Sequence, residues 1–130
     1  MYPTPSFIAG ADISPSKFVK IKANNDNTAI QCGAGDVAIG VSAPGTRSAP
    51  IPGADGLAAA DGETCLVYGL GETCEVTAGG AIQAGDTLKP DADADAVPAA
   101  AGEAYSAVAR SGAADGEKCK CVIVRGTNPA

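Results

Sequence analysis

Turn-forming residues interrupt this chain too often for helices to develop. Short apolar runs are separated by Asn24-Asn25-Asp26-Asn27, Gly33-Ala34-Gly35-Asp36, Pro52-Gly53-Ala54-Asp55-Gly56, Gly79-Gly80, Gly85-Asp86 and Asp115-Gly116. The runs themselves are Phe18-Val19-Lys20-Ile21, Val37 to Val41, Cys65 to Tyr68, Cys74-Glu75-Val76 and Cys119 to Val124. Runs of this length, rich in β-branched residues and bounded by Gly and Asp, read as strands of a sandwich or barrel. No segment sustains a helical apolar period with caps. Aromatics are 4% of residues and Trp is absent, so the core must be built from Val, Ile, Leu and Ala. Small side chains give thin layers, which suit packed sheets. The expected fold is all-β: a small antiparallel β-barrel or sandwich. At 130 residues, one domain can bury roughly two-thirds of the surface its unfolded chain exposes.

An internal repeat sharpens this. Ile30 to Gly45 aligns with Val97 to Gly112 at an offset of 67, matching apolar, Gly and acidic positions alike. Ile13 to Lys20 aligns with Ile82 to Lys89 at an offset of 69, and Asp61 to Val67 with Asp115 to Cys121 at 54. The fall in offset gives the first half about a dozen extra residues, assigned to a long loop at 46–57 containing Pro50, Pro52, Gly53 and Gly56. Two similar strand units, approximately 8–76 and 77–126, are expected to pack into one small barrel, because neither has enough core alone. Ala-rich 99–114 suits a helix by propensity, but its alignment with a strand favours a strand. Residues 1–7 read as an extended N-terminal arm held open by Pro3 and Pro5, with Tyr2 and Phe7 as exposed aromatics; residues 127–130 read as a tail.

The net charge is −6 with no basic cluster, which disfavours nucleic acid and anionic membranes as partners. No apolar run approaches the ~20 residues that span a bilayer. The opening residues lack the basic and apolar regions of a signal peptide, so synthesis in a cytoplasm is expected.

Cys32, Cys65, Cys74, Cys119 and Cys121 are odd in number. They read first as reduced, partly buried thiols and second as disulfide cysteines with unassigned partners, within or between chains. A metal site is disfavoured: there is no Cys-x-x-Cys pair and no His, and Cys119 and Cys121 are expected to face opposite ways. The missing His also removes Ser-His and Cys-His catalysis. Asp91, Asp93 and Asp95 are spaced like the start of a Ca²⁺ loop, but Ala96 and Gly102 stand where that loop needs Gly and Glu; a solvated acidic loop fits better. Gly69-Leu70-Gly71 lacks the third Gly of a dinucleotide site and reads as a bulge or kink in a strand. No catalytic, cofactor-binding or metal residue is assigned, and no cofactor is expected.

The order of motifs carries a resemblance. Gly35-Asp36 leads to Gly40-Val41, then come a long loop and a strand, then Ala78-Gly-Gly-Ala-Ile-Gln-Ala-Gly-Asp-Thr-Leu88, then Asp115-Gly-Glu before a last β-run. Over residues 8–125 this is similar to the capsid cement, or decoration, protein family of tailed phages, once labelled a domain of unknown function. The five cysteines lie outside its pattern. The resemblance implies a non-enzymatic β-barrel of the virion on the outer capsid surface, bound to the major capsid protein, often as a homotrimer, and stabilising the shell. Tyr2, Pro3, Pro5 and Phe7, or the 46–57 loop, are the candidate capsid contacts, since apolar anchors and added strands are economical ways to bind a finished lattice. A surface carbohydrate-binding β-module is the alternative, weakened by the absence of Trp platforms; a hydrolase is weakened by the absence of His.

Overall fold

The computed structural model describes residues 6–43 and 59–129. Among them are twelve strands and no α-helix: β1 (Ser6–Ala9), β2 (Phe18–Ile21), β3 (Thr28–Gln31), β4 (Gly40–Ser42), β5 (Thr64–Tyr68), β6 (Thr73–Thr77), β7 (Thr87–Pro90), β8 (Ala96–Pro98), β9 (Ala104–Tyr105), β10 (Ala107–Ala109), β11 (Lys118–Val122) and β12 (Gly126–Thr127). The first five strands close a barrel in the order β1-β3-β2-β4-β5. All its pairings are antiparallel except β1 with β3, which closes the ring through Ile8↔Thr28 and Ala9↔Ala29. The next strands form a sheet ordered β6-β11-β10-β7-β8, whose ends meet at a single parallel bridge, Ala78↔Ala96. Thus the all-β architecture of two similar units is present, but each unit winds its own ring rather than sharing one.

The pairings of the two units recur at the offsets read from the sequence. The bridge Ile13↔Ala59 returns as Ile82↔Ala113. Gly62 and Gly116 both sit at φ +86°, a backbone region that glycine enters without steric cost. In each of these Asp-Gly-Glu turns the glutamate carboxylate accepts a backbone amide three residues back: Glu63 from Ala60 and Glu117 from Ala114, both at 2.7 Å. The Gly-acid motif behaves alike. Asp36 accepts from the Gly33 amide and pairs with Lys20 at 2.6 Å, and Glu103 accepts from the Ala100 amide and pairs with Lys89 at 2.6 Å. The recurring motifs are therefore turn staples, which hold strand ends by satisfying backbone donors.

The interiors also correspond. Ala9, Ile13, Val19, Ala29, Ala59, Cys65 and Val67 fill the first barrel, with Phe7 and Ile39 against them. Their counterparts Ala78, Ile82, Leu88, Ala96, Ala113, Cys119, Cys121 and Val76 belong to the second core, and Ser106, the counterpart of Ile39, is buried. Strand alternation places these residues: the burial of β11 reads exposed, buried, exposed, buried. The second core also takes in Phe18, Cys32, Ala38 and Val41 from the first unit, so it doubles as the junction. Gly40 is required where β4 meets β5, because a Cβ there would collide with the Tyr68 carbonyl.

The junction runs head to tail. The segment Ser16–Phe18 enters the mouth between β6 and β8: the Thr77 amide donates to the Ser16 carbonyl at 2.8 Å, and the Phe18 amide donates to the Ala94 carbonyl at 2.9 Å. Lys17 pairs with Asp95 beside them. This insertion accounts for the second ring meeting at only one bridge. Elsewhere the Gly35 amide donates to the Pro90 carbonyl and the Ala38 amide to the Ser106 hydroxyl. The second unit turns the equivalent face to the C-terminal segment instead. Gly102, counterpart of Gly35, donates to the Pro129 carbonyl; Tyr105, counterpart of Ala38, pairs with Gly126; Thr87, counterpart of Phe18, hydrogen-bonds the Asn128 side chain.

Several sequence expectations are corrected here. Ser6 and Phe7, expected in the extended arm 1–7, pair with Leu66 and Cys65 in β5; residues 1–5 lie outside the described residues. The second unit begins with β6 at Thr73 rather than at 77, because β6 occupies the place of β1. Residues 127–129 are no loose tail: β12 pairs with β9, and Asn128 accepts and donates at 2.8–3.1 Å. Gly69 to Gly71 is the turn linking the units, not a bulge, with Gly71 at φ +84°. The Ala-rich segment 99–114 holds β9 and β10, as its alignment with the first unit required. The loop expected at 46–57 lies outside the described residues. It falls between Ala43 and Ala59, where the second unit has only Ser111 and Gly112 between Arg110 and Ala113.

Candidate interaction surface

Tyr2, Pro3 and Pro5 lie outside the described residues, as does the 46–57 loop. Phe7, expected as an exposed anchor on the arm, is half-buried and packs against the interior of the first barrel. Side chains alternate along a strand, and at this register Phe7 shares the inner face with its partner Cys65. It is therefore a core residue, and the outward neighbour in β1 is Ile8, 49% exposed.

The structure brings the attachment points of both candidate contact segments together. Ser6, where the first segment joins, pairs with Leu66 in β5. Ala43, where the long connection leaves, donates its amide to the Leu66 carbonyl at 2.9 Å. Ser6 and Ala43 thus flank one strand residue, although 37 positions separate them in the chain.

A second feature was not singled out from the sequence. Ile8 and Ile21 are 49% and 43% exposed, and both neighbour β3, through Ile8↔Thr28 and Ile21↔Ala29. Their counterparts in the second unit are Thr77 and Pro90, the residues that hydrogen-bond Ser16 and Gly35 across the junction. The first barrel therefore presents openly the face that the second barrel uses to hold its neighbour. The available signal was a mismatch within the repeat, where isoleucines stand in place of Thr and Pro.

All five cysteines are free thiols. Cys65 and its counterpart Cys119 line the two ring interiors, and Cys32 lies in the junction. Cys119 and Cys121, expected on opposite faces, share the inner face of β11, as strand residues two apart must. Cys121 stands directly opposite Cys74 of β6, with 3.7 Å between the sulfurs. Burial pushes up the thiols of Cys32, to about 12, and of Cys65 and Cys119. For Cys121 the contact with Cys74 raises the thiol first, and burial adds to it. Cys74 is half-buried and lines a depression of about 190 Å³ with Thr73, Glu75, Arg110 and Lys120.

The carboxylates of Asp91, Asp93 and Asp95 come within 4.8 Å of one another. Asp91 accepts the amides of Asp93 and Asp95 at 2.8 and 2.9 Å, and Asp95 pairs with Lys17. Asp91 and Asp95 thus already hold the turn and the junction. Among the described residues, every buried side-chain nitrogen or oxygen has a hydrogen-bond partner.

No protein-family model matches the chain, and no curated protein is similar to it at a significant level. Among solved structures, the fold is similar to that in the crystal structure of the head fiber gp8.5 N base in bacteriophage phi29, with a TM-score of 0.65 and 18% sequence identity over 97% of each chain. At that identity the likeness establishes a shared fold, a two-unit all-β architecture followed from end to end.

Proposed function

We propose that this chain is a structural, non-enzymatic virion protein that binds the outside of a phage capsid and stabilises the shell, with the major capsid protein as partner. The observation that carries this reading is the end-to-end likeness to the base of a phage head fiber. The ordered motifs from Gly35-Asp36 to Asp115-Gly116-Glu117 point the same way. The architecture suits the task. Two interlocked rings make a stiff block, and Ser6 and Ala43, where residues 1–5 and 44–58 join, flank Leu66, so binding by one segment raises the effective concentration of the other. Tyr2, Pro3 and Pro5 are the arm residues that remain candidates for the shell contact; the Ile8–Ile21 face is a third candidate. Trimers formed on the shell would multiply a weak single contact in the same manner.

Co-sedimentation with shells lacking this protein tests the reading. The intact chain should pellet with the shells and raise their melting temperature. Deleting residues 2–5 leaves β1 whole and should weaken binding about tenfold, or ~1.4 kcal/mol. Replacing residues 44–58 with Ser-Gly, the length used in the second unit, tests the loop in the same assay. An intact chain that stays in the supernatant with every such shell would overturn the proposal.

A further inference from the structure

We propose that Cys74 and Cys121 form an oxidisable pair, closing into an intramolecular disulfide that ties β6 to β11 when the protein meets a low-molecular-weight disulfide. The inference rests on the thiol geometry alone and stands or falls separately from shell binding.

The two residues are directly opposed in an antiparallel register, so their side chains share one face. Opposed residues in such a pair have Cα atoms about 4.5–5.5 Å apart, within the range a disulfide spans. The sulfurs already lie 3.7 Å from each other, so bond formation needs side-chain rotation rather than movement of the strands. No other cysteine pair has this arrangement: Cys119 opposes Val76, and Cys65 opposes Phe7.

Access is asymmetric. Cys121 is fully buried, whereas Cys74, on the same inner face, is half-buried and is the thiol that a small disulfide reaches first. Oxidised glutathione is such a low-molecular-weight disulfide. The Cys74 thiolate attacks one sulfur of that oxidant, forming a mixed disulfide and expelling one glutathione thiolate. Cys121 then gives up its proton and attacks the Cys74 sulfur, forming the Cys74–Cys121 bond and expelling the second glutathione thiolate. Two protein thiols are oxidised and one small disulfide is reduced to two thiols. The closed loop runs from β6 to β11 and encloses every strand between them, so it restricts the unfolded chain of most of the second unit.

The test incubates the full chain with oxidised glutathione under native conditions, then counts thiols and maps disulfide-linked peptides. The expected result is loss of two of the five thiols, a mass lower by two hydrogens, a linked 74–121 peptide, and a melting temperature higher by about 10 °C. C74S should abolish both the linkage and the shift, and C32A should leave both in place. Since C121S alters a buried site, the half-exposed C74S variant keeps the test valid even if C121S fails to fold. Retention of all five thiols, a glutathione adduct that persists on Cys74, or cross-linking between chains would each overturn the proposal.

Discussion

The two units of this protein share turns, register and core positions, yet their equivalent faces meet different neighbours. In the first unit, the face formed by Phe18, Gly35 and Ala38 is covered by the second unit. In the second unit, the matching face of Thr87, Gly102 and Tyr105 is covered by four C-terminal residues, 126–129. The mouths differ in parallel. In the first barrel the mouth between β1 and β3 is zipped by two register pairs and by the Ile8 amide donating to the Asn27 carbonyl. In the second the mouth is held apart by Ser16–Phe18. A repeated sequence dictates a repeated ring, but neighbours along a tandem array are not equivalent. Here residues 126–129 cap the second ring. Their partners on the second ring stand where the first ring's junction partners would be.

The largest expected difference is at Phe18 and Thr87, equivalent positions with unequal cover. Phe18 is fully buried in the second core. Phe18→Ala should cost about 3–5 kcal/mol, whereas Thr87→Ala removes a hydroxyl held by Asn128 and should cost about 1 kcal/mol. Urea denaturation of the two variants measures the gap, and equal losses would break the comparison of faces.

An intermediate effect should follow removal of the cap. Deleting residues 126–130 withdraws the Asn128 bonds to Thr87, Ala99 and Ala100 and the strand beside β9. The expected loss is about 2 kcal/mol. Hydrogen exchange should quicken across residues 99–105 and stay unchanged across 28–31 in the first ring. Equal quickening in both rings would mean that the segment is not a local cap.

The smallest effects come from titration and separate what the units share from what they do not. The Cys32 thiol is pushed up to about 12 from an ordinary 9.0, chiefly by burial, with Asp36 adding to it. Its counterpart is Ala99. The unfolded chain ionises Cys32 from about pH 9 while the native state holds the proton, so this contribution is present below pH 9 and is lost as pH rises toward 12. C32A should flatten the alkaline side of the stability curve. On the acid side the units should match. Lys20 holds Asp36 below its ordinary 3.8, and Lys89 holds Glu103 below its ordinary 4.5, with a backbone amide helping in each case. Both contributions are present above those values and fade as pH falls through the depressed ones. D36N and E103Q should therefore shift the acid limb slightly and alike; the pairs are partly open to solvent, which screens them, and the effects stay small.

The offsets of 69, 67 and 54 were legible because each is tied to a motif with a local physical role. A glycine in the left-handed region, or an acid reaching back three residues, marks its turn whatever surrounds it. The strand content was legible for the same reason. Phe7 was misread because an aromatic next to two prolines looks like an anchor, and only its pairing with Cys65 turns it inward. The Cys74–Cys121 contact could not be read either, since the two residues are 47 apart and meet only through the pairing of the second ring's first and last long strands. The Ile8–Ile21 face was hidden because exposure depends on which neighbour covers a ring.

By itself, then, the sequence determined the all-β character, the turns and the duplication, because these depend on short-range backbone preference and alternation. That each unit winds its own ring, which face meets the other ring and which the C-terminal segment, and which thiols stand side by side were settled by the packing of the whole molecule. Those outcomes turn on long-range burial and hydrogen-bond partners, which spacing along a chain does not encode.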